Sequence, residues 1–342
     1  MRDDHLSQES TPAGQVRDRP RLIAGTVLAA MLLSVAVGAA EAAPSVKARI
    51  KVLQLTVSGS PAADVIVLRL ALYDPTILEI DGNGDGSAEY SFSRARFSNI
   101  EVAGAGGDDT IRIDESSGVF TVEHLTALDG GAGNDALAGG SGPQAIFGGS
   151  GHDRIDGGLG SDAIDAGPGD DIVTWEPGNA SDYIWGDVRF DTLLFTGGNV
   201  DEQVAIASAS SLVRITRNVG NVAMHLEDVE RVELSMNGGT DTVTVDDLAV
   251  SDVTEVAVDL AIADGGDGKS DTVIVNGSAG DDVVSLAAVG SGVDVSRAGT
   301  ATVRVVGTEP LLDVLVVNGL AGDDVIDVTA DVEALIQVVS NP

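Results

Sequence analysis

The sequence contains no cysteine in its 342 residues. That excludes disulfide staples, zinc–thiolate centres and thiol nucleophiles. Aromatic residues make up only 3% of the chain, which excludes a bulky aromatic core. Positive charge is also scarce: 19 Lys and Arg face 54 Asp and Glu, a formal charge of −35. A chain with so few cations has no basic face for nucleic acid or anionic lipid, so neither is expected as a partner. Lysine occurs only at Lys47, Lys51 and Lys269. No G-x-S-x-G, H-E-x-x-H or Walker phosphate-binding pattern is present. Helical periodicity is missing after residue 44, and β-branched alternation takes its place.

What is present is glycine, 43 residues of it, within a chain that is 43% apolar. That apolar content argues against disorder. Small, β-branched and glycine-rich sequence suits thin β-structure with tight turns. Strand-like runs such as IKVLQLTV (50–57), DVIVLRL (64–70), DTVTV (241–245), DTVIV (271–275) and LLDVLVV (311–317) are separated by Gly, Asn and Asp.

The N-terminus reads as an address. Arg17, Arg19 and Arg21 precede an apolar run at 22–38, followed by AAEAAPS. This is a secretory-signal pattern with a cut at Ala40-Glu41-Ala42. The rival is an uncleaved anchor, since the run nears bilayer-spanning length. We expect a secreted chain, extracellular or else periplasmic or surface-held, with no membrane contact after cleavage. The expected organisation is a signal at 1–42, a β-rich solenoid segment at 43–127, a nonapeptide roll at 128–174 and a second β-solenoid module at 175–342.

Residues 130–174 align as GGAGNDALA, GGSGPQAIF, GGSGHDRID, GGLGSDAID and AGPGDDIVT. Gly133, Gly142, Gly151, Gly160 and Gly169 hold the fourth place. Asp135, Gln144, Asp153, Asp162 and Asp171 hold the sixth, and Leu137, Ile146, Ile155, Ile164 and Val173 the eighth. Glycine-rich sextets form turns open only to residues without a Cβ. The remaining three residues make a minimal strand with one inward side chain. Two nonapeptides then close one flat coil, so sixth-place side chains of repeats two apart stack on one edge. Residues 128–174 hold eight Asp against one Arg. Stacked carboxylates and turn carbonyls form an all-oxygen environment that suits Ca²⁺ better than Mg²⁺.

This block resembles the haemolysin-type (RTX) calcium-binding repeats. The resemblance implies an all-β, right-handed parallel β-roll or β-helix solenoid with Ca²⁺ between turns of one edge. It implies ligands from the first- and third-place carbonyls and the acid of one turn, and the second- and fourth-place carbonyls and the acid of the other. Carried over, these are Gly130, Gly131, Ala132, Gly133 and Asp135; Gly148, Gly149, Ser150, Gly151 and Asp153; and Gly167, Gly169 and Asp171. They make two full sites. The other edge offers Gly140, Gly142 and Gln144 over Gly157, Gly160 and Asp162, a single site short of one carboxylate. Residues 170–330 resemble a β-rich module that accompanies RTX repeats in bacterial secreted calcium-binding proteins. The carrying stretches include DDIVTWEPGNASDYIWGD, FDTLLFTGGNVDE and DTVIVNGSAGDDVV.

Lesser candidates stand outside the block. NGSAGDDVVSL (276–286), NGLAGDDVIDV (318–328) and VAGAGGDDTIRI (102–113) are near copies of one another. Asp282 and Asp324 read equally as ligands or as solvated turn residues, because neither has a partner nine or eighteen residues away, and Asp109 is similar. Asp81, Asn83, Asp85 and Glu89 in DGNGDGSAE keep calcium-loop spacing at an expected hairpin tip, but Phe92 stands where an EF-hand has Glu. Trp175, Tyr183, Trp185, Phe190 and Phe195 are expected to cap the thin end of the roll.

The sequence favours a non-enzyme with a structural or surface-interaction role. The alternatives are a calcium-stabilised β-helix lyase or epimerase acting on polysaccharide, or an adhesin with a cell-surface or polysaccharide partner. His124 and His225 lie in strand-like runs without an evident partner, and His152 lies in a turn. RTX proteins commonly leave by a C-terminal signal. This chain carries an N-terminal one, which speaks against type I export, and no pore-forming apolar domain is present.

Overall fold

The computed structural model describes residues 46–262 and 265–342. The signal segment, its cut and the rival anchor lie outside the described residues. Among the described residues there is no α-helix, and the strands form two fourteen-stranded sheets in which most neighbours run parallel. This is the all-β solenoid expected from the repeat. Neither sheet is interrupted at 127/128 or at 174/175.

Each coil contributes one strand to each sheet. In the block these are Leu125–Ala132, Gln144–Ser150 and Ala163–Asp165 on the first sheet. Ala136–Ala138, Arg154–Asp156 and Ile172–Trp175 lie on the second. Leu128, Ile146 and Ile164 stand in register, as do Leu137, Ile155 and Val173. These six side chains point between the sheets and are at most 4% exposed. Burial stabilises each by about 1.5–3 kcal/mol. A three-residue strand supplies only one inward side chain, so the block's core is thin.

Elsewhere the coils lengthen by antiparallel insertions. Val65–Ala71 folds back through Asp74–Asp81 to Tyr90–Ser93. Gln203–Ala209 returns through Leu212–Arg217 to Val222–Glu227. Val283–Val289 returns through Gly292–Arg297 to Thr302–Val306. Each insertion adds rows to its own sheet, and the solenoid resumes beyond it in parallel register.

Two expectations need correction. The run 50–57 is not one strand: Val52 and Leu53 adopt φ of 49° and 63°, turning Lys47–Lys51 back onto Gln54–Ser58. The aromatic cluster does not cap an end, because the coils continue past it. Trp175 and Phe195 are register partners that stack inside the core, with centroids 4.5 Å apart and planes 4° apart. They fill the space where the coil widens. Tyr183 stacks outside on Trp185 and His225.

Candidate metal centre

The turns of the block set the site. Gly131, Gly133, Gly149 and Gly151 hold φ of 102°, 138°, 104° and 142°, a region costly for any residue with a Cβ. Space gives the same answer. A Cβ on Gly149 would overlap the Gly131 carbonyl oxygen, and one on Gly151 the Gly133 carbonyl. Second- and fourth-place carbonyls therefore stack against the glycine backbone of the next coil. Third-place carbonyls bond between coils: Ser150 O accepts the Gly133 N–H at 2.8 Å. A carbonyl with one such bond keeps a second lone pair.

The sixth-place acids form a ladder. The Asp135 N–H donates to Asp153 Oδ1 at 2.8 Å, and the Asp153 N–H to Asp171 Oδ1 at 2.7 Å. The spacing is eighteen residues per coil. Asp135, Asp153 and Asp171 are at most 2% exposed. In each, Oδ2 is buried without any hydrogen-bond partner. Those of Asp135 and Asp153 lie beside the first-place glycines, where a carbonyl also converges. A Cβ built on Gly148 would meet both Asp153 Oδ2, at 2.6 Å, and the Ala166 carbonyl oxygen. A buried carboxylate oxygen left unpaired costs about 1–3 kcal/mol or more, so three in a row need a reason.

Burial pushes these acids up from the ordinary 3.8: Asp153 to about 6 and Asp171 to about 7, against the lowering effect of the N–H bond each accepts. Asp135 is raised for the same reason.

The second edge differs. The Gln144 N–H donates to Asp162 Oδ1 at 2.7 Å, so the two stack as the repeat requires. The Gln144 amide closes its own turn: Oε1 accepts the Gly140 N–H at 3.0 Å, while Nε2 donates to the Gly142 carbonyl. A neutral N–H thus meets the fourth-place carbonyl. Asp162 keeps an unpartnered Oδ2. It has a further neighbour that the nonapeptide alignment does not contain. The Asp162 N–H donates to Asp182 Oδ1 at 2.8 Å across a twenty-residue coil. Burial pushes Asp162 to about 8 and Asp182 to about 7.

The ladder also extends beyond the block. On the first edge, Asp64 donates its N–H to Asp109, Asp109 to Asp135, Asp171 to Asp191 and Asp191 to Glu230, at 2.7–2.8 Å. On the second, Glu202 donates to Asp241, Asp241 to Asp271 and Asp271 to Asp313, at 2.8–3.0 Å. Asp282 donates to Asp324 at 2.8 Å, forty-two residues on. The partner that the AGDD turns lack at nine or eighteen residues is therefore present at the longer pitch of a coil with an insertion.

At two rungs a guanidinium does what nothing does in the block. Arg217 pairs with Glu202 in the interior, where they are 6% and 1% exposed, and lies 5.3 Å over the Trp175 ring. Arg297 donates to Asp282 Oδ1 at 2.7 Å and pairs with Asp247. Burial raises Asp282, but the Ser278 N–H and Arg297 outweigh it and hold this acid below the ordinary range. Both arginines close the hairpin that begins beside their acid, fifteen residues after it.

The loop at 81–89 is the expected hairpin tip, and its Asp81, Asp85 and Glu89 oxygens lie within 4.8 Å of one another. This triad could hold a metal ion. Its acids are already engaged by the loop: Asp81 accepts the Gly84 and Gly86 N–H groups and pairs with Arg69 at 3.2 Å. Asn83 Nδ2 donates to Glu89 at 2.9 Å and to Asp85 at 3.3 Å.

The histidines are held by structure. His124 is buried, with Nδ1 2.9 Å from the Phe120 carbonyl and its ring against Phe97. His152 belongs to an outer, fifth-place ladder. Its N–H donates to Asn134 Oδ1, and its ring Nδ1 accepts the Asp170 N–H at 3.0 Å. His225 stacks on Tyr183, and burial and then Arg214 lower its pKa.

No protein-family model matches the chain, and no curated protein matches it.

Proposed function

We propose that the protein is a secreted calcium-binding protein of the haemolysin-type repeat kind, in which Ca²⁺ sits between stacked turns and folding accompanies binding. The observation that supports this most is the row of buried, unpartnered Oδ2 atoms at Asp135, Asp153 and Asp171, the first two beside converging turn carbonyls. A hard divalent cation supplies the partner these oxygens need, and its binding free energy becomes folding free energy. Residues holding it are Asp135, Asp153 and Asp171 with the carbonyls of their turns. The second edge, where Gln144 stands, is the poorer one beneath Asp162. The role is structural or surface-interacting rather than enzymatic. The chain's excess of negative charge, 35 formal units, opposes compaction without cations.

The test is a Ca²⁺ titration of the purified chain, followed by circular dichroism and small-angle scattering. Gain of β-signal and a fall in radius, with a midpoint on the order of 10⁻⁴–10⁻³ M as in extracellular modules, is expected. No change in either observable up to 10-fold above that range, roughly 10⁻² M, would contradict the proposal.

A further inference from the structure

The turns 59–64 and 104–109 lie ahead of the nonapeptide block, and their sequences, GSPAAD and GAGGDD, keep only part of the pattern. Their backbone keeps more. Ala105 and Gly107 adopt φ of 83° and 95°, the left-handed region used at second and fourth places in the block. The Asp64 N–H donates to Asp109 Oδ1 at 2.7 Å across a forty-five-residue coil, and Asp109 passes the ladder on to Asp135. Asp64 and Asp109 are 4% and 1% exposed. Asp64 Oδ1 and Asp109 Oδ2 are each buried without a partner. Among the described residues neither acid makes an ion pair, unlike Glu202 with Arg217 and Asp282 with Arg297.

The glycine cradle is repeated as well. A Cβ on Gly59 would meet Asp64 Oδ2 at 2.7 Å and overlap the Gly104 carbonyl oxygen. A Cβ on Gly104 would overlap Asp109 Oδ2 and stand 2.5 Å from the Gly130 carbonyl oxygen. Carboxylate and carbonyl oxygens thus converge here as they do at Gly130 and Gly148. At Gly59 the converging oxygen, Asp64 Oδ2, already accepts the Ser60 N–H at 2.6 Å, so the oxygens left for a ligand are Asp64 Oδ1 and Asp109 Oδ2.

We infer that a hard divalent cation binds between turns 59–64 and 104–109, held by Asp64, Asp109 and the Gly104 carbonyl oxygen that crowds Gly59. The inference rests on the calcium reading of the block and extends it to turns without the nonapeptide consensus. Its consequence is mechanical. The coil between these turns carries the insertion from Val65–Ala71 to Tyr90–Ser93, and the cation fastens both ends of that long excursion to the regular stack.

Native mass spectrometry of the calcium-loaded chain counts the ions. Asp64→Asn keeps an acceptor for the Ser60 N–H and removes the charge; Asp64→Ser is a second variant with a short acceptor. Each is expected to bind one Ca²⁺ fewer than the parent while its circular dichroism in calcium is unchanged. Asp153→Asn reports on the block independently. The inference is overturned if the parent binds calcium, Asp153→Asn loses ions, and both Asp64 variants bind as many as the parent. A parent that binds no calcium overturns the reading of the block and this extension together.

Discussion

The nonapeptide block and the two coils whose hairpins begin at Gln203 and Val283 use one turn and compensate its buried acid in different ways. At turn 148–153 the Asp153 carboxylate faces carbonyls and has an unpartnered oxygen. At turns 197–202 and 277–282 the equivalent acids, Glu202 and Asp282, receive a guanidinium from the hairpin they begin, which neutralises Glu202 through Oε1 while its Oε2 stays without a hydrogen bond. The longer coil has room for a tethered cation. In the eighteen-residue coils no guanidinium reaches Asp135, Asp153 or Asp171 among the described residues. In our reading the block therefore depends on a free ion for what its neighbours carry covalently. The difference teaches that the need for a free cation follows the absence of a tethered guanidinium, since Asp64 and Asp109 flank a forty-five-residue coil and also keep unpartnered oxygens.

The sharpest way to break this comparison is to remove a tethered cation. Arg217→Met leaves Glu202 buried and unpaired and is expected to cost about 3–5 kcal/mol, seen as an earlier urea midpoint in saturating calcium. The double variant Glu202→Gln/Arg217→Met should recover most of that loss. Equal stability of parent and Arg217→Met would mean that the guanidinium compensates nothing.

A smaller effect comes with pH. Asp153, Asp171, Asp162 and Asp191 are raised by burial from 3.8 to about 6, 7, 8 and 8 in the folded, metal-free chain. A fold that raises an acid's pKa gains stability from it below the unfolded value, and loses that gain as pH rises through the folded value. Metal-free protein should therefore melt at a higher temperature near pH 4 than near pH 8. Added calcium should restore the loss at pH 8, because it binds the ionised carboxylates. Melting temperatures that rise with pH in chelator would contradict this assignment.

Gln144→Asp should give the smallest change. It removes the amide that donates to the Gly142 carbonyl and adds a carboxylate over Asp162. The expected result is one further Ca²⁺ by native mass spectrometry, with lower stability in chelator. An unchanged ion count would show that the second edge does not use this rung.

Much of this organisation is legible in the sequence. The five-register alignment carries the coil length, the inward eighth-place residues and the two edges, because eighteen residues without a slip leave a single stacking. The rest is hidden for two physical reasons. Turn 186–191 keeps Gly186 but lost the second- and fourth-place glycines, yet Asp187 and Arg189 adopt φ of 82° and 104°, so the conformation persists where its sequence signal does not. Stacking neighbours supply enough contacts to hold those residues in a strained region. Hairpin insertions also lengthen the pitch to thirty-nine or forty-two residues, which separates Glu202 from Asp241 and Asp282 from Asp324 beyond any short-period search. One signal was available: Glu202 and Arg217, like Asp282 and Arg297, stand fifteen residues apart across a β-branched run. The aromatic cluster misleads because Trp175 and Phe195 follow the last nonapeptide in sequence but lie mid-stack in space.

The most direct measurement is a crystal structure of the calcium-grown protein with anomalous scattering recorded at a wavelength where calcium contributes. The account predicts anomalous peaks along the first edge, between turns 130–135 and 148–153 and between 148–153 and 166–171, with none beside the Arg217–Glu202 pair. An edge without peaks, its Asp153 and Asp171 oxygens still unpartnered, would contradict it.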